Sequence, residues 1–193
     1  MGRSIPIIIT IIIIFSLASY ERNTIWGNSI VLYEEGIRKS PLKSRAHVNL
    51  CTEYLKIKLY DKALDHCLTS LRLKPYLNTY YNLGVIYYKI RNFNEALKYL
   101  LIALRIEPDN EKTHKVISNV YAEIGFTDRA IGHYKTAIRL NPDFAEAHFD
   151  LGLVYISNGY IEKGIEELKA TLNINPEHQE ARRFLNYLVN IKG

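Results

Sequence analysis

Large apolar, small and helix-breaking residues recur along this chain with a period of about 34 residues. Successive prolines lie 34, 33, 34 and 34 residues apart, at Pro41, Pro75, Pro108, Pro142 and Pro176. Proline lacks a backbone N–H and its ring clashes with the preceding turn, so each proline ends a helix. A fixed period of this length is typical of proteins built from stacked repeats. Each period therefore predicts two helices, the second of which ends just before the proline.

The positions within a period predict how these helices pack. Numbered so that the closing proline is position 32, small residues recur at positions 8, 20 and 27, and large apolar residues at positions 7 and 11. Position 11 is tyrosine in all four full periods, at Tyr54, Tyr87, Tyr121 and Tyr155. The small residues predict close helix–helix approach, and the apolar spacing predicts one buried stripe per helix. Because one hairpin cannot bury both of its faces, we expect the hairpins to stack.

The second period shows a family resemblance most clearly. It carries Tyr80, Leu83, Gly84, Tyr87, Ala96, Ala103 and Pro108. This set resembles the tetratricopeptide repeat (TPR), and the resemblance covers about residues 44–176. It implies an all-α fold, a right-handed superhelical solenoid of antiparallel helix hairpins. The predicted organisation is a degenerate half repeat at 21–43, repeats at 44–76, 77–110, 111–144 and 145–178, and a capping helix at 179–193.

The family resemblance also implies a function class. The TPR is a scaffold that binds a protein or peptide partner, and the same fold carries many functions. The sequence contains no phosphate loop, no GxSxG and no HExxH motif. We therefore expect a protein that is not an enzyme and uses no cofactor, metal or small-molecule substrate.

Residues 1–20 form a hydrophobic segment that has two interpretations. One is a cleaved secretory signal, with basic Arg3 before the apolar run and small residues, Ser16 and Ala18, at the cleavage site. The other is a retained membrane anchor, although a run of about 16 residues is short against a bilayer core about 30 Å thick. Pro41 is in phase with the later prolines, so residues 24–40 resemble the second helix of a repeat. A membrane helix that leads directly into a repeat is more naturally retained, and we expect the anchor.

The junction between this segment and the repeats shows a second resemblance, over residues 5–50. The matching residues are Arg22, Asn23, Trp26, Leu32, Ser40, Pro41, Arg45, Ala46, Asn49 and Leu50. They resemble the join between the last membrane helix and the TPR array of O-mannosyltransferase-like membrane proteins. The resemblance implies repeats on the extracytoplasmic side, periplasmic or lumenal, and an alternative function as the accessory tail of a membrane glycosyltransferase system. Signal cleavage would instead release a secreted or periplasmic protein.

The charges exclude one class of partner. The chain has 25 basic and 20 acidic residues and a net charge of +5. Beyond residue 43 the two signs are nearly balanced, which is not typical of a nucleic-acid-binding face. His47, His114 and His148 share position 4 of successive hairpins and are interpreted as packing residues. His66 and His133 share position 23 and are predicted to be solvated. The adjacent Glu166 and Glu167 are likewise assigned to a solvated face.

The first helices of TPR hairpins line a concave groove, and the resemblance implies that a peptide binds there. The predicted groove residues are Arg45, Asn49, Asn78, Tyr81, Asn82, Tyr88, Lys89, Lys112, Lys115, Asn119 and Phe149. Asparagine amides can pair with both backbone groups of an extended peptide, and the aromatic rings supply contact area. The three lysines favour an acidic segment or a terminal carboxylate. The alternative interpretation is ordinary solvated surface.

Cys51 and Cys67 occupy positions 8 and 24 of one repeat, on facing helices. A disulfide between them requires Cα atoms about 4.4–6.8 Å apart and an oxidising compartment. The alternative is a pair of small buried thiols.

Overall fold

The computed structural model describes residues 29–192, with side chains described to residue 188. The predicted anchor or signal segment, and the beginning of the half repeat, lie outside the described residues. Within residues 29–192 there are ten helices and no strand, so the all-α prediction is confirmed for this part of the chain. The helices are α1 (Ser29–Lys39), α2 (Ser44–Lys56), α3 (Tyr60–Leu73), α4 (Leu77–Lys89), α5 (Phe93–Ile106), α6 (Glu111–Glu123), α7 (Thr127–Leu140), α8 (Ala145–Ser157), α9 (Ile161–Ile174) and α10 (Gln179–Lys192).

No helix between residues 29 and 192 combines the length and apolar character that a bilayer crossing requires. The described residues form two compact units, which meet between residues 82 and 83, inside α4. The right-handed superhelix expected from the family resemblance stays a prediction.

The first unit combines an apolar core with buried polar groups. Leu50, Ala63 and the two cysteines have no exposed surface. Beside them, Ser44 Oγ donates to the carbonyl of Lys74 at 2.6 Å, and the Ser44 and Ser70 hydroxyls lie 2.9 Å apart. Because every one of these buried polar groups has a hydrogen-bond partner, the network avoids the cost of burying an unpaired one. Helix α1 packs on α2, where Tyr54 donates a 2.5 Å hydrogen bond to Glu34.

The second unit contains hairpins whose helices meet at glycine. A Cβ added to Gly84 on α4 would lie 2.6 Å from Leu100 Cδ2 on α5. In the last hairpin, a Cβ added to Gly164 would lie 2.9 Å from the carbonyl oxygen of Gly152. Packing therefore requires the small residues predicted at positions 8 and 20 in these two hairpins. Helix α10 packs against α9, with Ala181 and Leu188 in the same cluster as Phe149 and Leu168.

Each hairpin turn uses one residue with a positive φ, always at position 15. These residues are Lys58, Arg91, Gly125 and Gly159, with φ of 61°, 62°, 81° and 82°. The next residue donates its N–H to the carbonyl of the position 11 tyrosine, for example Tyr160 to Tyr155 at 2.9 Å. This bond caps the first helix, so the turn has the same geometry in all four hairpins.

Candidate functional site

The second unit has an open cleft of about 410 Å³ on the face of the first helices α4, α6 and α8. Its lining combines aromatic, aliphatic, amide and carboxylate groups. The lining residues are Tyr88, Asn119, Ala122, Glu123, Tyr134, Asp150, Leu153 and Val154. Tyr134 comes from the second helix α7, and the others belong to first helices. The repeat period brings these residues together because positions 6, 9, 12 and 13 of successive first helices face the same side.

The base of the cleft is organised by hydrogen bonds. Tyr134 donates its hydroxyl proton to Asn119 Oδ1 at 2.6 Å. A hydrogen bond from the same asparagine favours the ionised form of Tyr88 and opposes the upward shift of its pKa. Asn119 therefore fixes the Tyr134 hydroxyl at the base of the cleft and lies beside the Tyr88 hydroxyl. An asparagine amide has both donor and acceptor groups, which this arrangement requires.

Burial and the two carboxylates of the cleft act on the tyrosine hydroxyls. Burial raises the pKa of the Tyr88 hydroxyl, and the charges of Glu123 and Asp150 raise it further. Burial also raises the pKa of Tyr134, and Asp150 adds to this shift. Both phenols consequently stay protonated at neutral pH and act as hydrogen-bond donors.

Two cations of the chain itself lie against these carboxylates. Lys115 Nζ lies 3.1 Å from Asp150 Oδ2, with both side chains about three-quarters buried. An Arg91 guanidinium nitrogen lies 3.1 Å from Glu123 Oε2, and the Arg91 side chain is 70% exposed. Lys115 was predicted to attract an acidic partner, but its ammonium is already paired. The neighbouring first helix supplies this counter-ion, and the role of Lys115 as a groove contact stays a prediction.

The other predicted groove residues fall into two groups. Lys89 and Lys112 are exposed in the second unit, and Arg45 and Asn78 are exposed in the first, where Asn49 and Tyr81 are partly buried. Asn82 is only 5% exposed and donates from Nδ2 to Thr52 Oγ1 at 2.8 Å. Its amide therefore holds two first helices together, and its prediction as a peptide contact is wrong.

Phe149 also differs from its prediction as a groove contact. It is 8% exposed, and its ring centroid lies 4.6 Å from that of His178 and 6.2 Å from that of Phe184. The C-terminal helix and the residue before it cover this ring, so Phe149 stabilises the end of the repeat array. Position 149 faces α10 because the chain continues there with another helix.

The position 4 histidines are packing residues with a further role. Nε2 of His47, His114 and His148 lies 3.1, 3.0 and 3.1 Å from the carbonyl of Pro41, Pro108 and Pro142, in that order. A carbonyl only accepts, so each Nε2 carries the proton. Arg182 donates to the Pro176 carbonyl in the same way. The sequence contained a signal for this contact, a basic residue six positions after the proline, and sequence reasoning missed it.

The position 23 residues complete this arrangement and correct two predictions. His66 Nδ1 lies 3.1 Å from His47 Nδ1, and His133 Nδ1 lies 2.9 Å from His114 Nδ1, so His66 and His133 are paired and partly buried rather than solvated. In the fourth repeat Glu167 takes this place, with Oε2 2.6 Å from His148 Nδ1. The assignment of Glu167 to a solvated face is therefore also wrong.

The structure joins Cys51 and Cys67 by a disulfide whose Cα atoms are 5.3 Å apart. Nowhere in the described part of the chain do three or more His, Cys, Asp or Glu side chains gather as a metal site would require.

Comparison with known proteins identifies the repeats. Models of the tetratricopeptide repeat match residues 78–110 and 145–178, and a TPR repeat model matches residues 118–159. The chain is a TPR protein. No curated protein sequence matches it, and the resemblance to the O-mannosyltransferase-like family gains no support from these comparisons.

Solved structures with the same fold include three proteins of similar length. TTC0263, a thermophilic TPR protein from Thermus thermophilus, is 23% identical, with a TM-score of 0.72 over 92% of this chain and 94% of its own. YrrB, a TPR protein described as having an unusual peptide-binding site, is 22% identical, with a TM-score of 0.65 over 89% of this chain and 86% of its own. MamA is 21% identical, with a TM-score of 0.68 over 84% of this chain and 95% of its own. At these identities the similarity shows the fold alone.

Proposed function

We propose that this chain is a non-catalytic TPR scaffold that binds a protein or peptide partner in the cleft of its second unit. The observation that supports this function best is the alignment of Tyr88, Asn119 and Asp150, from three successive first helices, around one open cleft. Hydroxyl and amide groups there can satisfy an extended backbone, while the rings and Leu153 supply apolar area. The peptide-binding site described for YrrB adds support by analogy of fold.

The proposal includes an extracytoplasmic location, with residues 1–20 as a membrane anchor. The apolar run in the sequence supports the anchor, and the Cys51–Cys67 disulfide supports an oxidising compartment. Signal cleavage would change the tether and leave the compartment the same. The glycosyltransferase-tail alternative has no further observation in its favour.

Site-specific photocrosslinking in native membranes tests the binding site. A photoreactive amino acid at Leu153, inside the cleft, should give a discrete crosslinked product, and the same residue at exposed Lys135 on α7 should not. Identical products from both positions would count against binding in the cleft.

Fractionation and thiol labelling test the location. The mature protein should sediment with membranes, resist alkaline extraction and retain residues 1–18. Both cysteines should resist alkylation when the protein is denatured without reductant. Full labelling of both thiols would remove the support for an oxidising compartment, and a soluble form beginning at Ser19 would replace the anchor with a signal peptide.

A further inference from the structure

The cleft has a chemistry that distinguishes between kinds of peptide. The partly exposed ring of Tyr88 forms one wall, the buried Tyr134 lies at the base, and two carboxylates, Glu123 and Asp150, belong to the lining. None of its lining residues is basic. Aromatic faces combined with carboxylates are the groups that hold an ammonium or guanidinium, through cation–π contact and a charge-assisted hydrogen bond.

Two cations of the chain itself already contact these carboxylates. Lys115 and Arg91 each contact one of the two carboxylates, at Asp150 Oδ2 and Glu123 Oε2. The Lys115–Asp150 pair is largely buried and belongs to the packing of α6 against α8. The Arg91–Glu123 pair is exposed, and exposed pairs of this kind contribute only about 0–1 kcal/mol. An incoming cation can therefore share Glu123 or replace Arg91 at little cost.

The size of the cleft agrees with one long side chain. A volume of about 410 Å³ is at the lower end of the range for ligand sites. The hydroxyls of Tyr88 and Tyr134 flank Asn119, and both lie within the field of the carboxylates. An acidic side chain would meet like charge here and would lose the aromatic contact, so the expected preference for an acidic partner is reversed at this site.

We propose that the cleft formed by Tyr88, Asn119, Tyr134, Glu123 and Asp150 selects a peptide segment by inserting one of its arginine or lysine side chains. This inference rests on the proposed function, because it names the partner chemistry of the same cleft. The ring of Tyr88 holds the aliphatic stem and the face of the cation, and Glu123 pairs with its charge. Asp150, held by Lys115, contributes a fixed negative field.

Selection from a displayed library of random nonapeptides, against the full-length protein in detergent micelles, provides the probe. The selected peptides should be enriched in arginine or lysine at one position. Replacing that residue by norleucine or glutamate should weaken binding at least tenfold, as should Glu123→Gln in the protein. The matched control Glu166→Gln, at an exposed position of α9, should leave the affinity unchanged. Affinity should also fall as the salt concentration rises, because exposed charge pairs are screened.

The outcomes separate this inference from the proposed function. Selected peptides that lack a basic residue, yet lose binding with Tyr88→Ala, would overturn the cationic preference and keep the peptide cleft. Selected basic peptides that bind equally well to Glu123→Gln and to Asp150→Asn would also overturn it. If no peptide is enriched, or if Tyr88→Ala leaves every affinity unchanged, both proposals fail. Near-ultraviolet circular dichroism of each variant checks that the fold is retained.

Discussion

The first and fourth repeats form the same helical hairpin with different chemistry at equivalent positions. In the first repeat, positions 8 and 24 are Cys51 and Cys67, joined by a disulfide across α2 and α3. In the fourth repeat the same positions are Gly152 and Leu168, and Leu168 Cδ2 lies 3.5 Å from the point where a Gly152 Cβ would be. One hairpin is fixed by a covalent bond and the other by complementary volume. In both repeats the two helices are in close contact at positions 8 and 24. The residues that make this contact differ between the repeats.

The histidine contacts differ between these repeats in a similar way. His47 donates through Nε2 to a carbonyl, and its Nδ1 faces His66 Nδ1, so one of these two Nδ1 atoms donates and the other accepts. His148 faces a carboxylate through Nδ1 and a carbonyl through Nε2, so both of its nitrogens donate and the ring is an imidazolium. The fourth hairpin thus favours a charged histidine, whereas in the first hairpin burial and the charge of His47 lower the pKa of His66.

The largest expected effect comes from removing the covalent bond of the first repeat. Cys51→Ala with Cys67→Ala should lower the free energy of unfolding by about 3 kcal/mol, since a loop of this length loses about that much closure entropy. Chemical denaturation under non-reducing conditions measures it. Reductant should destabilise the wild-type protein by a similar amount and leave the double variant unchanged. An unchanged denaturation midpoint for the double variant would contradict a stabilising disulfide.

The second repeat also packs a glycine against a leucine, Gly84 and Leu100, and a larger residue at Gly84 should disrupt this contact. Gly84→Leu should cost about 1–3 kcal/mol or more, because the new side chain must enter space that Leu100 occupies. Thermal unfolding measures the loss. Gly132→Leu is the matched control, since a Cβ there meets no described atom within 4 Å. It should be neutral or slightly stabilising, because glycine is a poor helix former. Equal destabilisation by both substitutions would refute the close approach.

The histidine difference predicts opposite responses to pH. Burial, with the charge of His47, lowers the pKa of His66, so acidification below about 6.5 charges the unfolded chain first and destabilises the first hairpin. A hydrogen bond with Glu167 raises the pKa of His148 in the folded protein. The stability that this pair contributes is complete below a pH of about 6.5, the pKa of an unfolded histidine, and is lost as the pH rises through the pKa of folded His148. The first hairpin should therefore weaken in acid, and the fourth should weaken as the solution becomes alkaline.

Hydrogen exchange between pH 5 and pH 8, corrected for intrinsic rates, can resolve the two hairpins. Protection in α2 and α3 should fall on acidification, and protection in α8 and α9 should fall on alkalinisation. Burial and His114 lower the pKa of His133 in the third repeat, so His133→Glu should convert that repeat to the behaviour of the fourth. The same sign of response in both hairpins would show that these pairs do not determine it.

The smallest effect concerns the hairpin turns. Lys58 and Gly159 occupy the same position with φ of 61° and 82°. A left-handed conformation costs an L-residue about 1–2 kcal/mol, and the greater freedom of glycine in the unfolded chain offsets part of this. Lys58→Gly should therefore stabilise the protein by less than about 1 kcal/mol, and Gly159→Lys should destabilise it by a similar amount. The two variants should shift the denaturation midpoint in opposite directions relative to the wild-type protein. Shifts in the same direction would contradict this prediction.

The sequence predicted the helices well because the prolines that end helices and the small residues that allow close packing recur with the same period as the structure. It predicted partners less well. The position of Asn82 on a first helix suggested the groove, but its amide reaches Thr52, which is 30 residues away along the chain. Phe149 lies on a first helix too, yet His178 and Phe184 cover it. Tyr134, which the sequence did not suggest for the groove, reaches the cleft from the second helix of its hairpin. Such outcomes depend on neighbouring repeats, which the pattern of one repeat does not contain.

The contact between each position 4 side chain and the preceding proline carbonyl also limits insertions and deletions. Where this contact occurs, the proline and the position 4 residue are six residues apart in the sequence, as Pro108 and His114 are. Four residues then separate the end of one hairpin from the first helix of the next, as between α5 and α6. Between α3 and α4 only three residues separate the helices, and position 4 is Tyr80, five residues after Pro75. Gaining or losing one junction residue would shift the donor by about 100° around its helix and remove the contact. Such a chain should tolerate the duplication or exchange of a whole repeat better than a change of one residue between repeats.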